Sequence, residues 1–412
     1  MTTSNPAIVN FSRPMKIALG IGLVASVLSV IGLLVSGPAQ FFQSYLFAFL
    51  FWLGISLGSL ALLFLHFSVG SRWGLTIRRV TEAASSSVWI MALLFVPLIF
   101  AINTLFPWTN PAAVAEGEAL HMLEAKTFYL NVPFFLVRAV IYFAAWILLS
   151  ILANRWSTRL SKALPDDQPL RGRLQGIGAV GLIVYAITMT FASIDWIMSL
   201  EPLWTSTMFG LIIMVGQMLT ALSFALLVLN LLPGLSLGRR WNYKETPLSF
   251  KDLGSFLLVF VLGWAYLVYF QFLIIWGGNI PREVAWYIAR TDGGWSLLVI
   301  FIAVFQFLLP FLILLSSRAR HNLRILSILG ALLLFTNLVY LFWQIKPAFF
   351  PGQFALSWLD LVLPIAIGGL WVAGFFYFLA RRPALTTGEQ VALRLAEEPK
   401  NGSAVSQHQG SH

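Results

Sequence analysis

Apolar residues along this chain gather into ten runs of about 20 residues, with polar residues collected between them. A hydrocarbon layer of roughly 30 Å takes about 20 apolar residues in a helix, so each run is long enough to cross it. The predicted crossings are residues 15–35, 44–67, 86–105, 132–152, 174–196, 207–231, 253–276, 296–315, 325–343 and 359–379. The predicted fold class is therefore an all-α integral membrane protein with about ten transmembrane helices.

The polar loops sort into two faces. One face receives Arg13, Lys16, Arg72, Arg78, Arg79, Arg155, Arg159, Lys162, Arg171 and Arg173. It also receives Arg239, Arg240, Lys244, Lys251, Arg318, Arg320, Arg324, Arg381 and Arg382. The other face holds only Lys126, Arg282, Arg290 and Lys346, and carries Glu116, Glu118, Glu124, Glu201, Glu283 and Asp292. The bias of Lys and Arg toward the cytoplasm predicts that the first face is cytoplasmic. Both termini then lie on that side, and the number of crossings is even. The expected organisation is a cytoplasmic segment 1–14, a ten-helix transmembrane domain 15–382 and a disordered cytoplasmic tail 383–412.

Composition agrees with this pattern. The 412 residues are 59% hydrophobic and 10% charged, with mean hydropathy +0.84. The net charge of +10 is explained by the basic face, so no nucleic-acid partner is inferred. The absence of cysteine excludes disulfides, thiolate chemistry, iron–sulfur ligation and a CxxCH haem attachment. No cleavable signal peptide is evident ahead of the first run.

Two loops of the second face stand out. Residues 111–126 are rich in Ala, Glu, Leu and Met, and predict a short interfacial helix. Residues 276–295 are aromatic and Gly-rich, which predicts that Trp276, Trp286, Tyr287 and Trp295 sit at headgroup depth.

Polar groups inside the crossings need a partner or a task. Arg138 lies about two turns inside the fourth run, roughly 10 Å below the second face. Asp195 ends the fifth run, which travels the opposite way, so the two have matching depth on consecutive helices. An Arg138–Asp195 ion pair is expected, with Tyr142 one turn deeper and Glu201 just outside. Two readings stay open: a structural pair that fixes helix packing, or a proton-conducting or quinol-facing cluster. His66 and Asp252 lie at the basic face and could together form a proton entrance. Gln217, Gln271, Gln306, Asn337 and Asp360 are also intramembrane or near it, and amides there commonly join helices. The five His residues do not suit a haem, which needs two at matching depth on facing helices: two fall in the tail, His121 lies outside, and of His66 and His321 near the basic face the latter falls in a short basic turn. No nucleotide-binding, HExxH or GxSxG motif is present.

Four segments together resemble a known family. They are LHFSVGSRWGLTIRRVTEAA, FYLNVPFFLVRAVIYFAAWILL, TFASIDWIMSLEPLWTSTMFG and WAYLVYFQFLIIWGGNIPREVAWY. They resemble the ActF-like membrane subunits of bacterial alternative complex III, within the NrfD/PsrC-like family. The likeness runs over residues 44–349. The DWxMSLExxWxST run at 195–207 and the IIWxxNIPxExxWY run at 274–287 are its most specific parts. The resemblance implies two four-helix bundles with flanking helices, in a bacterial inner membrane. It implies a non-redox subunit of a quinol:cytochrome c oxidoreductase, with no cofactor of its own beyond a possible quinone or quinol. The partners it implies are an ActC-like quinol subunit and haem and iron–sulfur subunits. A contribution to quinone binding or proton translocation would fall to Arg138, Tyr142, Asp195, Glu201, His66 and Asp252. A secondary transporter and a purely structural scaffold are the alternatives; mid-span prolines at 310 and 364 lack counterparts in the first half, which weakens the transporter.

Overall fold

The computed structural model describes residues 11–70, 72–113, 116–162, 168–232 and 250–381. The first ten residues, the basic loop with Arg239, Arg240 and Lys244, and the tail 383–412 lie outside the described residues. Eleven helices carry the described chain. They are α1 Ser12–Val69, α2 Trp73–Phe100, α3 Gly117–Glu124, α4 Val132–Lys162, α5 Gln168–Trp196 and α6 Phe209–Leu231. After these come α7 Phe250–Gly278, α8 Pro281–Thr291, α9 Trp295–Leu315, α10 Leu323–Ile345 and α11 Leu359–Ala380. Among the described residues there is no β-strand, and nine of these helices are long and apolar enough to cross a membrane.

The first of the nine supplies two crossings. At 58 residues α1 would extend roughly 85 Å if straight. It breaks at Gly37, whose φ of 81° and ψ of 165° strain any residue with a Cβ, and Pro38 follows. Its two arms pack on α11 in opposite senses. In the first arm, Gly22 meets Gly369 and Gly32 meets Leu359, so residue numbers run oppositely. In the second arm, Ser44 bonds Asp360, Trp52 bonds the Pro364 carbonyl and Ser56 accepts from Trp371, so they run together. Two arms of opposite sense on one helix must be antiparallel to each other. The chain therefore reverses at Gly37–Pro38, which gives ten crossings among the described residues, the number the sequence predicts.

The helices form two four-membered bundles. The second arm of α1 with α2, α4 and α5 makes the first; α6, α7, α9 and α10 make the second. They meet where Gly58 lies against the backbone of Gln217, too close to admit a Cβ. The first arm of α1 and α11 flank the first bundle. Gly22 and Gly369 allow that arm its approach, since a Cβ on Gly369 would collide with the Gly22 backbone. The outward surface is apolar: Leu34, Leu93, Phe100 and Leu297 are each more than two-thirds exposed. An apolar surface this extensive suits lipid, not water. The protein is an all-α, multi-pass membrane protein.

The structure changes three expectations. Arg78 and Arg79 are not loop residues, because α2 begins 13 residues earlier than the sequence predicts, at Trp73. The helix can begin there because its charges compensate one another. Glu82 pairs with Arg78 and Arg79 and accepts from Ser157 of α4. In the second change, Trp286 and Trp295 are buried within the second face, and only Trp276 projects outward like a belt residue. Lastly, the predicted interfacial helix is a single turn at Pro111–Ala113 followed by the two-turn α3.

Candidate functional site

Arg138 and Asp195 meet as their depths require. Arg138 donates from Nε and Nη2 to the two Asp195 oxygens, each at 2.8 Å, a bidentate pair. Asp195 is fully buried and Arg138 nearly so. Tyr142, one turn deeper on α4, donates its hydroxyl to Asp195 Oδ2 at 2.8 Å. Arg138 also donates from Nη1 to the Tyr129 carbonyl, and its guanidinium lies 3.9 Å from the Tyr129 ring centre and 4.3 Å from that of Phe134. Around this cluster Trp196 packs among Phe95, Phe143 and Trp146. Asp195 thus takes three charge-assisted or hydroxyl donors. Those donors come from two residues of one neighbouring helix and hold the carboxylate in place, as a positioning pair does.

Glu201 does not join that cluster. Beyond Asp195 the chain forms a strap, residues 197–208, that crosses to the second bundle. There Glu201 pairs with Arg290 of α8. Arg290 is 1% exposed; it donates to the carbonyls of Gln344 and Trp286 and lies 3.8 Å from the Trp286 ring centre. Trp204 of the strap stacks on Trp286 at 4.5 Å and 14°. Ser206 donates to Gln271 Oε1 at 2.6 Å, and Gln271 donates to the Tyr287 hydroxyl at 3.2 Å. Burial pushes the Tyr287 phenol up to about 12, opposed by the Gln271 hydrogen bond and Arg290. Burial also lowers the Arg290 guanidinium, and the Glu201 charge pulls it back up. The two motif runs therefore touch: 195–207 anchors Asp195 in one bundle and docks on 274–287 in the other.

His66 is buried between Phe67 and Trp73, whereas Asp252 is exposed on the first turn of α7. Trp73, which packs on His66, also packs on Phe256, one turn from Asp252, so the two candidates lie on neighbouring elements and differ in exposure. Of the intramembrane amides, Gln217 joins Tyr185, Gln271 joins Ser206, and Asn337 reaches the Gly216 carbonyl. Gln306 is fully buried and its amide has no hydrogen-bond partner among the described residues.

Sequence reasoning passed over three buried charges. Lys346 and Asp360 form an ion pair of 3.1 Å, both almost wholly enclosed, with Asp360 also accepting from Ser44 and the Ser357 amide. Nothing in the sequence marks Lys346 as anything but a loop cation. Arg290 carries a faint signal, since it follows Trp286 by one helical turn and shares its inward face. Glu82 carries a clearer one, its spacing of four from Arg78.

Beside the second-face layer a cavity of about 600 Å³ opens between α7 and α9. Trp264, Phe272, Tyr287, Phe307, Tyr340 and Trp343 supply its aromatic walls. Tyr266 and Tyr269, both more than half exposed, flank its lipid-facing side. On α9 the wall includes a π-helical turn, residues 303–308, directly ahead of Pro310. Proline cannot donate to residue 306 and its ring crowds that carbonyl, so the helix widens there.

The fold and this site define a multi-pass, all-α membrane protein with buried ion pairs beneath one face and an aromatic cavity at its lipid boundary. Comparison with models of protein families and with curated proteins finds no match to this chain.

Proposed function

We propose that this chain is a non-redox membrane subunit of a quinol-oxidising respiratory complex of the bacterial inner membrane, of the ActF-like kind in the NrfD/PsrC-like family. The observation that supports the reading is the meeting of the two most specific motif runs. Residues distant in sequence, Asp195 to Ser206 and Gln271 to Arg290, share one buried layer of ion pairs, stacked tryptophans and hydrogen bonds. In this reading the basic face and both termini are cytoplasmic, and the layer stands beneath the periplasmic surface. Electron transfer belongs to haem and iron–sulfur partners beside an ActC-like subunit. This chain holds its bundles in register and presents a lipophilic surface to quinol. The satisfied Arg138–Asp195 pair favours a positioning role for both residues.

Affinity purification of the tagged chain from mild detergent tests the reading. Haem-bearing and iron–sulfur-bearing companions are expected, with quinone in the organic extract. Isolation of the chain alone, together with solute uptake into proteoliposomes, would replace it with a transporter. In the assembled complex Asp195→Asn is expected to lower stability more than the turnover of the surviving complex.

A further inference from the structure

The cavity between α7 and α9 has the size of a small-molecule site, which typically encloses about 300–1,000 Å³. Its chemistry narrows what enters. No Lys, Arg, Asp or Glu is among its lining residues, so a phosphate or carboxylate head would find no counter-charge there. Arg290 stands behind the wall, but Glu201 and two carbonyls already hold it. The walls are flat rings: Trp264 meets Tyr340 edge-on at 5.0 Å, and Phe272 meets Tyr287 likewise at 5.3 Å. Such walls favour a planar ring between them.

One polar group is aimed by its neighbours. Ser206 donates to Gln271 Oε1, which fixes that amide and directs its N–H to the Tyr287 oxygen. The Tyr287 oxygen therefore accepts, and its own O–H proton remains to be donated at the cavity wall. The phenol stays protonated at every physiological pH. A donor of this kind suits a carbonyl or hydroxyl oxygen. Gln306 is a second sign of an incomplete polar environment. Its buried amide has no partner among the described residues, and it lies on the turn that gives Ala303 and Phe307 to the wall.

We propose that this cavity binds a neutral lipophile whose flat ring carries carbonyl or hydroxyl oxygens, the class that includes quinones. The ring lies against the aromatic walls, the Tyr287 hydroxyl donates to one of its oxygens, and the tail leaves past Tyr266 and Tyr269 into lipid. The site is distinct from the Arg138–Asp195 cluster, which belongs to the other bundle. The assignment rests on the subunit reading only in naming quinone as the physiological member of that class.

Decylubiquinone and a photoreactive azidoquinone are the probes, applied to the full chain with whatever companions purify with it, in nanodiscs. Saturable decylubiquinone binding, read by tryptophan quenching, is expected, with azidoquinone label on α7, α8, α9 or α10 peptides. Tyr287→Phe keeps the ring and removes the donor, and is expected to weaken binding about five- to tenfold. Val299→Trp fills the cavity wall and is expected to abolish it. Gel filtration and circular dichroism check that each variant folds, and Tyr287→Phe stands alone should Val299→Trp fail. Unchanged binding in the folded variants, or label confined to other helices, overturns the proposal. So does displacement of the probe by phosphatidylglycerol at equal concentration, which would make the cavity an acyl-chain groove. Loss of probe binding with haem and iron–sulfur companions still present would sink the cavity alone. Probe binding without those companions would sink the subunit reading alone.

Discussion

Two arginine–carboxylate pairs lie beneath the same face, yet they differ in what they join and how water reaches them. Arg138–Asp195 links consecutive helices of one bundle, is bidentate and has a fully buried carboxylate. Arg290–Glu201 links a strap from the first bundle to an outer helix of the second, and the Glu201 side chain keeps 26% of its exposure. The first pair locks a helix interface. The second closes a seam between bundles and leaves one side open to solvent. A buried charge is costly without its partner, whereas a partner that touches water is replaceable by it. The two pairs should therefore respond unequally to the same kind of change.

The largest effect is expected from Asp195→Asn, which leaves Arg138 buried without its counter-charge. A loss of about 3–5 kcal/mol is expected in denaturant unfolding of the chain in micelles. A loss below about 1 kcal/mol would mean that Arg138 does not depend on Asp195. Replacing both members, Arg138→Met with Asp195→Leu, is expected to cost less than Asp195→Asn alone. Additive costs in that cycle would count against a coupled pair. Glu201→Gln should come next, at about 1–2 kcal/mol, because Arg290 keeps its two carbonyls and the face of Trp286. Hydrogen exchange should quicken in residues 197–208 and 281–291 while the helices stay protected. Exchange quickening throughout the second bundle would show that the seam carries more than this comparison assigns.

The smallest effect concerns pH. Tyr287 ionises at an ordinary value of 10.0 when free and at about 12 in the fold, so folding favours its neutral form. That contribution is complete below pH 10 and is lost as pH rises toward 12. Melting temperature should fall over this window, and Tyr287→Phe should flatten the part of the slope that this phenol supplies. An identical slope in the variant would place the titrating group elsewhere.

What could be read beforehand differs between the pairs for a plain reason. Arg138 and Asp195 lie on helices that follow one another through the membrane, so depth alone brings them together. Glu201 and Arg290 are separated by two further crossings, and no rule of depth selects α8 from the other segments of that face. Lys346 was hidden for a different reason: it reads as a loop cation, and only the inward fold of its own loop around Ser357 brings it to Asp360. The early start of α2 escaped prediction because hydropathy counts Arg78, Arg79 and Glu82 as three polar residues. Paired on one helix and met by Ser157, they form a compensated group that the helix can bury.

The order of apolar and polar residues was enough to determine an all-α membrane protein of ten crossings, the sorting of its loops into two faces and one buried ion pair. These follow from a one-dimensional constraint: backbone polar groups in lipid must be satisfied within the helix, so length and hydropathy fix each crossing. Tertiary structure alone decided which helices are neighbours. That choice depends on where glycines let backbones touch, as at Gly58 and Gln217 or Gly22 and Gly369, and on side chains too far apart in the chain for any periodicity to relate. The strap between the bundles, the stacking of Trp204 on Trp286 and the cavity beside Tyr287 all arise from that lateral packing.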